Sequence, residues 1–255
     1  MAAVTPISRD ALTRFLDEQL KPEGYKDYCP NGLQVEGRDE IRRLVCGVTA
    51  NQALLDLAVA QKADAILVHH GWFWRGENAA ITGLKRNRLK TLLVNDINLY
   101  AYHLPLDAHP VLGNNAGLAK AAGWQQTGVF GEQSLGCIGD VPLGTTVESV
   151  ADQLTQVLNR PPMVLAASGD QSIRRIAWCT GGAQSYFEAA IAEGADAFVT
   201  GEVSEPMVHL ARETGVAYIA AGHHATERFG VQALGEAIAS HFGVSVSYVD
   251  VDSPV

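Results

Sequence analysis

Apolar residues recur along this chain in two rhythms. Short unbroken apolar runs bounded by polar residues read as buried strands, and longer stretches with apolar positions three and four apart read as helices. RRLVCGVTA (42–50) is of the first kind, NQALLDLAVAQ (51–61) of the second, and DAILVHH (64–70) again of the first. NRLKTLLVND (87–96) then predicts a helix and INLYAYHL (97–104) a strand. Strands alternating with helices in this way build βαβ units whose apolar strands are covered on both faces. At the start of the chain Leu12, Phe15, Leu16 and Leu20 share one helical face, a pattern unlike a basic-then-apolar leader.

The pattern repeats. Residues 41–71 align without a gap on residues 173–203, with nine of thirty-one positions identical and the apolar positions largely kept, which predicts two related α/β halves. The copies part at their ends: the first closes on His69-His70, where the second has Gly201-Glu202. Between the halves, residues 129–170 are rich in glycine and punctuated by proline, as expected of a crossing into a second domain. Thr145 and Glu148 there have capping-box spacing, and Val147, Val150, Leu154, Val157 and Leu158 form the apolar face of a helix that Pro161 and Pro162 end.

Composition narrows the function. The 255 residues are 47% hydrophobic and 18% charged, enough to build real cores. A formal charge of −9 argues against nucleic-acid binding by overall field. Four dispersed cysteines without a C-x-x-C pair fit neither a zinc ribbon nor a disulfide framework, and point to a reducing cytoplasm. No run approaches the ~18 apolar residues of a membrane span.

The chemistry gathers at predicted strand ends, where functional groups of open α/β sheets collect. His69 and His70 close one strand, with Gly71 free to turn the backbone behind them. Because successive strand side chains point to opposite faces, the pair is poorly placed to hold one ion together and better placed to serve two. INLYAYHLPLDAH ends with His103 and, after a proline turn, Asp107. AAGHHATERFG supplies His223, His224 and Glu227; if a helix starts near Ala225, His223 and Glu227 share a face and His224 points away. A lone histidine is more often a hydrogen-bonded structural residue. Here His69, His70, Asp107, His223 and Glu227 form a set of imidazoles and carboxylates without thiolate, suited to Zn, Fe, Mn, Ni or Co. A shared carboxylate such as Glu227 can bridge two ions about 3.5–4 Å apart, a pair that activates water and polarises a substrate oxygen.

Other residues take secondary parts. His103 is a candidate to orient a ligand or carry a proton, and Glu202 to accept from a ligand or act as base. His109 and His224 read as structural. Trp72, Phe73 and Trp74 could stack on a flat heterocycle but more often such residues pack a core or subunit contact. Lys85, Arg86, Arg88 and Lys90 could meet phosphates, although a solvated helix face is the commoner fate.

The motifs YCPNGLQVEG (28–37), GVTANQALLD (47–56), VHHGWFW (68–74), KRNRLKTLL (85–93), NLYAYHLPLDAHPVLGNN (98–115), TGEVSE (200–205) and AGHHATER (221–228) resemble the GTP cyclohydrolase 1 type 2 family over nearly the whole chain. The resemblance implies two interlinked α/β domains with mostly parallel or mixed sheets, here 1–128 plus 222–255 and 129–221, with a dinuclear metal site between them. It implies a toroidal homohexamer. Its ligand pattern falls on the same five residues, and its activity is opening of the imidazole ring of GTP with release of formate, giving 7,8-dihydroneopterin triphosphate. The expectation is thus a cytoplasmic hydrolase using two divalent ions on a nucleotide-like small molecule. The competing expectation is a ring-shaped metal-binding protein that engages damaged nucleotides or DNA without cyclohydrolase activity.

Overall fold

A computed structural model describes residues 5–255. They form two compact units: residues up to Leu106 together with Gly230–Asp252, and Asp107–Phe229 together with Ser253–Val255. The chain therefore leaves the first unit, builds the second, and returns to complete the first. Among the described residues no helix is long and apolar enough to cross a membrane.

The first unit opens with β1 (Ile7–Ser8) and α1 (Arg9–Leu20), whose predicted apolar face buries Leu12, Leu16 and Leu20. There follow β2 (Gly32–Val35), β3 (Glu40–Ile41), β4 (Arg43–Thr49), α2 (Gln52–Ala60), β5 (Ala65–His70), α3 (Gly83–Asn95) and β6 (Asn98–Ala101). After the excursion, α10 (Arg228–Phe242) and β13 (Ser245–Tyr248) supply the last pieces. The main sheet runs β13-β4-β5-β6-β2, with β2 antiparallel at its edge and the other neighbours parallel. Ala65, Ile66, Leu67 and Val68 are fully buried, as an unbroken apolar run in a covered strand should be. The unit's core packs Val45, Ile66, Val68 and Leu99 with Leu54 and Leu55 of α2 and Leu89 and Leu92 of α3.

The second unit begins within α4 (Leu104–Ala108) and continues through α5 (Asn114–Ala121), β7 (Gln125–Phe130), β8 (Gly136–Asp140), α6 (Val147–Leu158) and β9 (Met163–Leu165). β10 (Arg175–Trp178), α7 (Phe187–Ala192), β11 (Ala197–Thr200), α8 (Glu205–Thr214), β12 (Ala217–Ala220) and the single turn α9 (His223–Thr226) follow. Its sheet order is β7-β8-β10-β11-β12-β9, parallel from β10 to β12 and antiparallel elsewhere. Both sheets are thus mixed, with three or more parallel strands at the centre.

The repeat is physical. β4 pairs with β5 as Leu44↔Ala65, Val45↔Ile66 and Cys46↔Leu67; β10 pairs with β11 as Ile176↔Ala197, Ala177↔Phe198 and Trp178↔Val199. Each of these pairs is superposed by the gapless alignment read from the sequence. Asp64 Oδ2 accepts from the N–H groups of Arg42 and Arg43, and Asp196 Oδ2 accepts from those of Arg174 and Arg175, again matching positions.

One detail of the sequence reading shifts by a residue. The capping box of α6 is Thr146 with Ser149, each side chain accepting from the other's backbone N–H at 3.2 and 2.9 Å, rather than Thr145 with Glu148. Thr145 instead donates its hydroxyl to Pro142 O at 2.7 Å and closes the preceding turn.

Candidate metal centre

In the first unit the site grows from the end of β5. Pairing to β6 stops at Val68↔Ala101, while pairing to β4 runs on to Thr49↔His70. Released on one side, the strand lets the two histidine rings tilt toward each other, with centroids 4.6 Å apart at 44°. This corrects the expectation from strict pleating: one ring nitrogen each of His69, His70 and His103 lie within 4.8 Å of one another. His69 is fully buried and its Nδ1 lies 2.9 Å from Tyr102 O. A carbonyl only accepts, so Nδ1 carries the proton and the neutral ring presents Nε2 as a lone pair. His70 Nδ1 sits 3.2 Å from Thr49 Oγ1.

Gly71 serves the pair by its size rather than by turning. A Cβ there would lie 2.2 Å from Gln34 Oε1 and 2.5 Å from Ala101 Cβ. That space lets the Gln34 carboxamide reach Trp72, accepting from its N–H at 2.7 Å and donating to its carbonyl at 3.1 Å. Trp72 itself is buried in the core and donates Nε1–H to Ala50 O at 2.8 Å, so it packs. Trp74 places its ring edge-on to His103, 5.0 Å between centroids. Of the basic cluster, Lys85 is tied to Glu77 at 3.4 Å and lies over the Phe73 ring.

His103 has a partner that the sequence reading did not find. Its Nδ1 donates to Asp27 Oδ1 at 2.7 Å, and Asp27 also accepts from Tyr28 N, Asn31 Nδ2 and Leu104 N. Burial pushes the Asp27 carboxyl up, but the hydrogen bond and charge of His103, with the Asn31 and Tyr28 donors, outweigh it and hold the carboxyl at about 2. Cys29, close by, is pushed up to about 12 by burial and by the Asp27 charge.

In the second unit the site is built on the ends of β10, β11 and β12. Asp107 and Glu227 are both buried, and a carboxylate oxygen of one lies within 4.8 Å of one of the other. Asp107 Oδ1 accepts from Asn114 Nδ2 at 2.8 Å and from Thr180 Oγ1 at 3.4 Å. The predicted i,i+4 relation holds: His223 Nε2 is 3.1 Å from Glu227 Oε2. His223 Nδ1 donates to Glu202 Oε1 at 2.7 Å, and Gln184 Nε2 donates to Glu202 Oε2 at 3.3 Å. Burial would lower the His223 pKa, yet hydrogen bonds and charge from Glu227 and Glu202 raise it to about 9. Without a metal this imidazole is protonated at neutral pH, so an ion taking Nε2 must displace a proton.

Gly181, with φ +72°, makes room for the carboxylate. A Cβ at that position would stand 1.9 Å from Glu227 Oε1 and 3.3 Å from His223 Nε2. Gly201, at the repeat position of His69, is also required: a Cβ there would meet His223 Cα at 2.6 Å. The Cys179 thiol is driven well up by burial and by the charges of Asp107 and Glu227, which keeps it out of the donor set. His109 Nδ1 accepts from the N–H groups of Val111 and Leu112 and caps its own turn, and His224 N–H is held by Val255 O.

These donors fit divalent ions. Two buried carboxylates this close repel unless a cation or proton lies with them. The imidazoles of His69 and His223 have Nδ1 committed to a carbonyl and a carboxylate, the arrangement that orients metal-binding histidines. Asp27, Thr49, Asn114, Thr180 and Gly181 are the supports that side-chain patterning overlooked.

Comparison with known proteins identifies the relatives of this chain. The model of the family Duf34/NIF3 (NGG1p interacting factor 3) matches residues 7–254. A Pseudomonas aeruginosa protein named GTP cyclohydrolase 1 type 2 homolog is 51% identical over 251 residues, 97% of this chain and 99% of that protein. The homolog of the same name in Escherichia coli K12 is 49% identical over 244 residues, 95% and 98% of the two chains. A solved structure described as protein ybgI, of unknown function, has 47% identity and a TM-score of 0.94, covering 98% of this chain and all (100%) of that one. The protein TTHA1606 from Thermus thermophilus has 35% identity and a TM-score of 0.88, covering 98% of this chain and 100% of its own. With the family pattern matched nearly end to end and relatives half identical over their whole length, the chain belongs to the Duf34/NIF3 family.

Proposed function

We propose that this protein is a divalent-metal-dependent hydrolase of a nucleotide-like small molecule, with His69, His70, Asp107, His223 and Glu227 as ligands for two ions. The observation that carries the reading is the pair of buried carboxylates, Asp107 and Glu227, with oxygens within 4.8 Å. In metal-free protein the protonated His223 beside Glu227 offsets part of their repulsion, and a divalent ion would take over that role. When bound, paired divalent ions supply Lewis acidity and an activated water. The chain's own residues do the rest. Glu202 holds the His223 proton on Nδ1 and so points Nε2 at the ligand position. His103, its own Nδ1 proton committed to Asp27, presents Nε2 to take up or return protons during turnover.

GTP is the substrate to test first, because relatives at about half identity carry the name GTP cyclohydrolase 1 type 2 homolog. In that reaction water adds at purine C8, the imidazole ring opens and formate leaves. A homohexamer in the cytoplasm is the assembly and location we assign. The test is formate release from GTP by chelated protein before and after re-addition of single metals. Restoration by one or more of Zn2+, Fe2+, Mn2+, Ni2+ or Co2+ is expected. Metal uptake without release of formate would remove GTP from the proposal, and absence of metal uptake would overturn it altogether.

A further inference from the structure

We infer that Trp74 and Tyr28, in the first unit, are the stacking walls of a slot for the flat aromatic heterocycle of the substrate. The inference rests on the hydrolase reading above and deepens it by naming the part of the substrate that the chain holds by its face. The backbone bends to put Trp74 where it is. Gly71 follows β5, Trp72 turns into the core, and Phe73 then takes a left-handed backbone with φ +66°. For a bulky residue that conformation is strained, and such strain is kept where surrounding contacts over-determine it, as they do at ligand clamps. Here Lys85 lies 5.1 Å over the Phe73 ring and Trp72 meets it edge-on, 6.5 Å between centroids. Trp74 consequently does not follow Trp72 into the core. Its ring is only part-buried and stands 5.0 Å from that of His103 and 6.0 Å from that of His70.

Tyr28 reaches the same place from another loop. Its ring centroid is 6.4 Å from that of His103, and the residue is 54% exposed although its neighbour Cys29 is buried. An aromatic face left in water forgoes burial that a stacked ring would restore. The two loops are pinned together before any ligand arrives. Arg75 donates its backbone N–H to Tyr28 O at 2.7 Å and its guanidinium to Asp27 O at 2.8 Å, and that guanidinium lies 5.8 Å from the centre of the Tyr28 ring. Gln34 ties the first loop's following strand to Trp72, and Trp74 donates Nε1–H to Gly71 O at 3.2 Å. A slot fixed in this way loses little freedom when a ring enters it.

The chemistry that fits is a purine, pterin or similar base. Stacking on indole and phenol faces tolerates any base, because every base has a π-face. The slot therefore selects for a flat ring and leaves the choice among bases to groups on the ring's edge. Exposed aromatic residues also serve subunit contacts. Trp74 and Tyr28, however, gather around the imidazole of His103 rather than along an outer helix face, which favours a small ligand held beside the histidines over a second protein surface.

The test measures binding of GTP and guanosine to the full chain by equilibrium dialysis, in chelated protein so that nothing is consumed. Stacking needs no metal, and the unsubstituted chain should bind both. Trp74→Ala and Tyr28→Ala should each weaken both by about 5- to 150-fold. Trp74→Phe, which keeps an aromatic face, should recover most of the loss, a rescue that a merely structural role would not give to binding alone. Circular dichroism checks each variant; if Trp74→Ala fails to fold, Tyr28→Ala and Trp74→Phe carry the test, since Tyr28 is largely exposed. Unchanged affinity in the folded variants would overturn the inference and leave the hydrolase reading standing. So would a change in sedimentation with affinity unchanged, which would reassign the two rings to a subunit contact. If the chelated chain binds neither compound yet releases formate from GTP once metal is restored, the inference fails alone. If it takes up metal but neither binds nor turns over either compound, the inference and the nucleotide part of the reading fail together.

Discussion

At the scale of single residues, the repeat has solved the same geometric problem twice with different side chains. Thr49 and Gly181 occupy matching positions of the two halves: the first places a hydroxyl 3.2 Å from His70 Nδ1, the second leaves a gap that the Glu227 carboxylate fills. Likewise His70 corresponds to Glu202 in the repeat, a ligand candidate in one half and the acceptor for His223 in the other. Gly181 is the sharpest test of this division of labour. Alanine there would bring a Cβ to 1.9 Å from Glu227 Oε1 at a backbone φ of +72°, so the carboxylate has to move. Gly181→Ala is expected to cost about 1–3 kcal/mol in metal-free protein from the left-handed backbone. It should also weaken metal binding at least tenfold. Urea unfolding and equilibrium dialysis measure the two effects separately; an unchanged metal affinity would show that Glu227 is not a ligand.

At the scale of elements, the aspartates that open β5 and β11 act as staples for the strand before them. Asp64 is buried, takes two backbone N–H groups and pairs with Arg38 at 3.1 Å; Asp196 takes the equivalent two N–H groups but is only half-buried. Removing an acceptor from donors shielded from water costs about 1–3 kcal/mol, and less where water can replace it. Asp64→Ala should therefore cost about 2–3 kcal/mol and Asp196→Ala about 1 kcal/mol. Tryptophan fluorescence reads each unit by its own probes, Trp72 and Trp74 in the first and Trp124 and Trp178 in the second. Equal costs would mean that burial does not separate the two copies. These elements were legible because the signal lies in side chains at regular spacing: the apolar runs, the amphipathic α1 and α6, the gapless repeat, and the histidines and carboxylates at strand ends. What escaped was not periodic. Asp27 sits in an irregular loop far from His103 in sequence, the support of His69 is a backbone carbonyl, and Gly181 acts through an atom it lacks. The convergence of His69 and His70 escaped because pleating alone does not say where pairing to a neighbour stops.

At the scale of the whole molecule, each unit has its own core, and each contributes part of the proposed ligand set: His69 and His70 from one, Asp107, His223 and Glu227 from the other. An ion that binds only the folded chain stabilises it by about 4 kcal/mol at a thousandfold excess over its dissociation constant. For a chain of this size that is roughly 10 °C in Tm, at ~2–4 °C per kcal/mol. Chelation should lower Tm by about that amount, and re-addition of metal should restore it. His69→Ala and Glu227→Ala should each lower metal content and shrink the chelator effect, with circular dichroism unchanged. The tryptophan probes add a finer reading. If His69 and His70 hold an ion, chelation should shift the unfolding read by Trp72 and Trp74; if Asp107, His223 and Glu227 hold one, it should shift the unfolding read by Trp124 and Trp178. A shift confined to one pair would remove the other unit's residues from the ligand set, and no shift in either would end the metal proposal.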